Sequence, residues 1–143
     1  MTENQNLTCD QRIDAELKST LETIRLMWEA YQHEDEPEFE LENGMTVEEV
    51  HNDIAYYPEY GLGFDYVEPD TFDDQPVGYW RYQLSWGGPS DEFRFWWNGS
   101  RVYSIEYRFM DWWDGATRTL TGENFGLLEE IFEDLHSCQC VDY

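Results

Sequence analysis

The chain has 143 residues, 32 acidic and 8 basic, for a net charge of −24. So strong an excess of carboxylates excludes direct binding of a phosphate backbone and disfavours anionic membrane surfaces, both of which need Lys and Arg. It does not make the chain disordered, because 41% of the residues are apolar and 17% aromatic, which is ample to build one domain's core.

The first element expected is a helix over residues 8–33. Ile13, Leu17, Leu21, Ile24, Trp28 and Tyr31 recur at steps of three and four and share one helical face. Thr8 and Gln11 match a capping box, Asp10 is an alternative cap, and the helix is expected to end near His33, before Pro37. Residues 34–76 follow as an acidic strand, a short helix and a loop. After Pro37, Glu38, Glu40 and Glu42 alternate with Phe39 and Leu41, the period of a half-buried strand with an acidic outer face. Asn43-Gly44 reads as a tight turn, and Thr46 with Glu49 as the capping box of a helix from Val47 to about Ile54. Pro58, Gly61, Gly63, Pro69 and Pro76 punctuate an irregular stretch that leaves room for a brief strand at Gly63–Val67.

Residues 79–120 read as a β-meander. They hold Trp80, Trp86, Trp96, Trp97, Trp112 and Trp113, six of the seven tryptophans. Period-two alternation assigns Trp80, Tyr82, Leu84 and Trp86, then Phe93, Phe95 and Trp97, then Tyr103, Ile105, Tyr107 and Phe109 to one buried face. Arg81, Arg94 and Arg108 fall on the other face, where they are expected to pair across strands with Glu92 and Glu106 or to receive the acidic loop. Gly87-Gly88-Pro89, Asn98-Gly99 and residues 111–115 supply the turns. A helix over 122–136 presents Phe125, Leu128, Ile131 and Leu135 on one face, and residues 137–143 read as a loose tail. The expectation is a single α+β domain over 1–143, an antiparallel meander of three to five aromatic-rich strands packed against an N-terminal and a C-terminal helix.

No catalytic motif is present. The chain lacks a nucleophile elbow, an H-E-x-x-H pair, a phosphate loop and a dinucleotide fingerprint, and it reads as a non-enzyme without cofactor. His51 beside Glu48 reads as a surface histidine. Asp70, Asp73 and Asp74 lack calcium-loop spacing. His136, Cys138 and Cys140, with Cys9, His33 or His51, lack zinc-site spacing, so no metal is expected. The segment MTENQNLTCD has no leader pattern and no apolar run reaches membrane-spanning length, so the expected location is the cytoplasm.

Charge layout carries the functional reading. Residues 1–75 hold 21 acids and 3 bases, and residues 76–143 hold 11 acids and 5 bases. No Lys or Arg occurs from residue 26 to residue 80. Carboxylates alternating along a strand stand about 6.8 Å apart on one face, comparable to phosphates along a nucleic-acid strand. Candidate partner-binding residues are Glu34, Asp35, Glu36, Glu38, Glu40, Glu42, Glu48, Glu49, Asp53, Asp70, Asp73 and Asp74. Trp96, Trp112 and Trp113 add aromatic anchors.

In length, acidity, scarcity of lysine and Trp-rich small fold, the chain resembles the nucleic-acid-mimicking inhibitors of phages and mobile elements, of the anti-restriction and anti-CRISPR type. LSWGGPSDEFRF with YRFMDWWDG also looks like small proteins of mobile elements. The resemblance implies a partner with a basic nucleic-acid-binding channel, in the cytoplasm of the host cell. Two alternatives stand beside it: an acidic adaptor or immunity-type protein that neutralises one basic protein, and a salt-adapted housekeeping domain.

Overall fold

The computed structural model describes residues 7–86, 89–111 and 113–141. Trp112 and the Gly87-Gly88 turn lie outside the described residues, as does the side chain of Cys140. Helix α1 spans Cys9–Gln32, helix α2 Val47–Asp53, and a 3-10 turn Tyr57–Glu59. Strands β1 (Gly63–Val67), β2 (Tyr79–Ser85), β3 (Ser90–Trp97), β4 (Val102–Asp111) and β5 (Asp114–Thr119) precede helix α3 (Gly122–Val141). The class is α+β as expected, with one antiparallel sheet in the order β1-β2-β3-β4-β5.

The chain forms two compact units. One comprises residues 1–16 and 61–143, the other Leu17–Tyr60, so α1 begins in the first and continues into the second.

In the first unit the sheet's inner face is an aromatic layer. Phe93 and Phe95 are fully buried, as are Ile105 and Tyr107 opposite them on β4. Helix α3 seats Phe132 against this layer, 5.1 Å from the Phe95 ring and 5.7 Å from Phe64. One turn on, His136 stacks on Phe132 and meets Trp97 at 4.4 Å and Trp80 at 4.9 Å. The Tyr107 hydroxyl donates to Asp91 at 2.6 Å, so this phenol deep in the layer keeps a partner. The expected loose tail is helical as far as Val141.

The start of α1 is tied to the far edge of the sheet. Thr8 and Gln11 exchange both capping-box bonds. The Cys9 amide donates to the Asp114 carboxylate at 2.6 Å, placing a negative charge at the positive end of the helix. Arg12 pairs with Asp111 at 2.6 Å and lies over the Phe109 ring, while Arg118 on β5 holds Asp10 and Asp14.

Two interruptions of register overturn parts of the alternation. The pairing of β2 with β3 shifts between Gln83 and Ser85, and that of β3 with β4 between Trp96 and Trp97. An extra residue in one strand re-aims the side chains beyond it. Trp86, expected inside, is 76% exposed, and Tyr103 is 56% exposed. Tyr79 makes the opposite departure: it lies on the arginine side of the sheet yet is 1% exposed.

In the second unit Ala30, Leu41, Val47 and Val50 form a small core, with Leu26 and Met45 against it. Trp28 and Tyr31 meet Tyr57 at 4.8 and 4.9 Å. The second capping box, Thr46 with Glu49, is complete and starts α2. The acidic strand expected at 38–42 is replaced by one isolated bridge, Glu40 to Thr46, flanked by turns. The Asn43-Gly44 turn folds the segment back on itself, with Leu41 N–H donating to the Met45 carbonyl at 2.8 Å. The segment has only its own return to pair with, too little for a ladder.

Candidate functional site

Every candidate carboxylate is exposed. In the second unit these are Glu34, Asp35, Glu36, Glu38, Glu40, Glu42, Glu48, Glu49 and Asp53. In the first they are Asp70, Asp73 and Asp74. Among the described residues none of them forms a salt bridge with Lys or Arg, and the one ion contact in the set is His33 Nδ1 to Glu36 at 3.0 Å. Glu49 accepts the Thr46 amide and is committed to the helix cap. Because residues 38–42 do not form a strand, Glu38, Glu40 and Glu42 do not form the evenly spaced row the alternation implied. They sit on and beside the turns that flank the Glu40 bridge.

The aromatic candidates separate. Trp113 occupies the β4–β5 turn and is 98% exposed. Trp96 is half-buried on the arginine side of the sheet, 5.5 Å from Tyr79.

That side of the sheet holds a site that the periodicity did not reveal. Cross-strand register lines up Asp65, Arg81, Arg94 and Glu106 in one row across β1 to β4. The adjacent row is Gln83, Glu92 and Arg108. Two arginines directly opposite each other repel, so each takes its own carboxylate. Arg81 grips Asp65 with two bonds, at 3.1 and 2.8 Å, and this hydrogen bonding raises its pKa above the ordinary arginine value. Arg94 donates to Glu92 at 2.6 Å along its own strand, and Glu92 is 3% exposed. The expected cross-strand pairs with Glu92 and Glu106 are thus corrected: Asp65 serves Arg81, and Glu92 serves its strand neighbour. Arg108 turns its Nε to the Met110 sulfur at 3.3 Å. Burial, and after it the Arg94 charge, press its pKa below the ordinary arginine value.

A cavity of about 800 Å³ opens over these residues. Tyr79, Arg81, Glu92, Arg94 and Arg108 line it from the strands, Trp86, Trp96 and Met110 add apolar surface, and residues 72–77 form a further wall. Arg94 lies over the Tyr79 ring at 4.6 Å, and the Tyr79 hydroxyl is enclosed without a hydrogen-bond partner among the described residues. Burial raises the pKa of this phenol.

Gln75 holds the wall in place. Its Oε1 accepts the Thr71 and Phe72 amides, both at 3.0 Å, and its Nε2 donates to the carbonyls of Glu68 and Val77 at 2.9 and 3.0 Å. Asp70 and Asp74 take left-handed backbone angles, φ 64° and 56°, to close the loop around it. Gly78 follows because a Cβ there would lie 2.1 Å from the Tyr66 hydroxyl oxygen.

Other chemistry has less support. Among the described residues no group of three or more His, Cys, Asp or Glu side chains is arranged to hold a metal ion. Cys9 is buried, and burial followed by the Asp114 charge raises its thiol pKa, which makes it a poor nucleophile. His51 is half-buried, with its ring 5.0 Å from Tyr56. No helix among the described residues is long and apolar enough to cross a membrane. No protein-family model, curated protein or solved structure matches this chain.

Proposed function

We propose that this protein is a non-enzymatic acidic inhibitor that occupies the basic nucleic-acid channel of a host defence complex, of the CRISPR or restriction type. The observation that carries the reading is the exposed carboxylate set, left without Lys or Arg partners among the described residues while Arg12, Arg81, Arg94 and Arg118 pair with other acids. Uncompensated repulsion of this kind is relieved when a cationic surface docks. The turn at Glu38, Glu40 and Glu42 supports mimicry of charge density, with no register to match individual phosphates. Charge would govern association, and Trp113 would add an apolar anchor.

The test is competition. The protein is added to a DNA-binding restriction enzyme or CRISPR effector of its host at low and at high salt, and DNA occupancy is measured. Displacement of DNA that weakens steeply with salt is expected, together with its loss in the triple variant Glu38→Lys, Glu40→Lys, Glu42→Lys. An unchanged effect of the triple variant would sink the reading.

The 98% exposure of Trp113 favours a second reading, tight neutralisation of one specific basic protein. In that case binding depends more on Trp113→Ala than on salt, and nucleic acid does not compete.

A further inference from the structure

We propose that the cavity over the arginine side of the sheet binds a small organic monoanion, a carboxylate on a flat apolar body, with Arg108 as its anchor and Trp86 and Trp96 against the ring. This site shares Asp73, Asp74 and Trp96 with the candidate partner-binding set, but the proposal does not depend on the inhibitor reading.

Size and lining come first. A cavity of about 800 Å³ falls within the range of small-molecule sites, which combine apolar walls with a few placed polar groups. Only eight side chains in this chain are Lys or Arg, and three of them line this one cavity.

The three arginines are not equivalent. Asp65 neutralises Arg81 and Glu92 neutralises Arg94. Arg108 has no carboxylate within salt-bridge distance among the described residues, and its Nε is used on a thioether, a weak acceptor. A guanidinium offers five donors in a rigid fork that matches a carboxylate. Its charge is held at a cost from burial and from Arg94, which a bound anion would offset. The Tyr79 ring lines the cavity, while its hydroxyl is enclosed and unpartnered among the described residues.

The same lining limits the ligand. Glu92, Asp73 and Asp74 also border the cavity and would repel a polyphosphate or a nucleic-acid backbone. One available guanidinium suits one carboxylate. The rest of the lining asks for a flat apolar group: Trp86 stands 76% exposed and Phe72 50% exposed at this cavity, apolar area that a ring would cover. The Gln75 bonds hold the loop wall in advance, so the ordering cost of binding is reduced.

The experiment is titration calorimetry on the full chain with 2-naphthoate, its neutral isostere 2-naphthamide, and a naphthalene trisulfonate. Expected is binding of naphthoate at least about tenfold tighter than the amide, the size of effect that one charged hydrogen bond gives. Arg108→Gln should lower naphthoate affinity by about tenfold or more and leave the amide unchanged. Trp86→Ala, at a position 76% exposed, should weaken both ligands, and it decides the matter together with the acid–amide comparison if Arg108→Gln fails to fold. Absence of naphthoate binding at millimolar concentration, equal affinity for acid and amide, or undiminished binding in folded Arg108→Gln overturns the proposal. Tighter binding of the trisulfonate than of naphthoate overturns the monoanion assignment.

Discussion

Glu92 gives its carboxylate to Arg94, two residues along the same strand, although Arg108 stands directly opposite it on β4. The bond is 2.6 Å long and the Glu92 side chain is 4% exposed. Removing one partner of such a pair leaves an uncompensated buried charge. Glu92→Gln is therefore expected to lower unfolding stability by roughly 3 kcal/mol, because Arg94 then loses its carboxylate next to the Arg108 charge. The double variant Glu92→Leu, Arg94→Leu should recover much of that loss. Urea unfolding of Glu92→Leu, Arg94→Leu and their double variant gives the coupling directly, and additive losses would show that the pair does not act as a unit.

Phe132 is the point at which α3 grips the sheet. It is 2% exposed and meets Phe64, Phe95, Trp80, Trp97 and His136. Phe132→Ala should cost about 3–5 kcal/mol, the range for emptying a buried aromatic site, and Phe132→Leu markedly less. Denaturant midpoints at constant m-value provide the check.

His136 is expected to make stability depend on pH. Burial lowers its pKa in the folded chain below the ordinary 6.5. The unfolded chain then accepts a proton that the folded chain resists, so this contribution is present above pH 6.5 and declines as pH falls through that value toward the folded pKa. His136→Phe should remove the decline, and the wild type minus variant difference in stability should shrink between pH 7.5 and 5.5. A difference that stays flat across that interval would exclude the assignment.

Gln75 is expected to control the loop more than the fold. Gln75→Ala deletes four bonds of its side chain and should lower global stability by about 1 kcal/mol, the net worth of a typical bond, because the freed groups reach water. Its sharper signature is local: faster amide exchange at Thr71 and Phe72 and faster proteolysis within residues 68–77. Gln75→Glu keeps the acceptor for the two amides but replaces both donors by an oxygen facing carbonyls, and should loosen the loop further. Equal protection of these amides in wild type and variants would show that the backbone holds the loop unaided.

Local signals were legible. The capping boxes of Thr8 with Gln11 and Thr46 with Glu49 start α1 and α2 where the spacing placed them. The Asn98-Gly99 turn forms, with Asn98 Oδ1 accepting the amides of Ser100 and Arg101 and Gly99 at φ 101°. These devices involve residues within four positions of each other, so their physics is written in the sequence.

The amino-acid sequence by itself determined the class, the helix starts, the aromatic inner face at Phe93, Phe95, Ile105 and Tyr107, and the lack of cations from residue 26 to 80. Only the tertiary structure decided the rest. Register shifts arise from how two strands meet, and they turned Trp86 and Tyr103 outward. Residues 38–42 alternate like a strand but have no neighbouring strand to complete a ladder, and they fold as a turn with one bridge. The arginine cavity needs β2, β3, β4 and a loop stapled by Gln75, segments up to 38 residues apart. Periodicity names the face of a side chain, but which charge it neutralises depends on neighbours that the fold alone brings within reach.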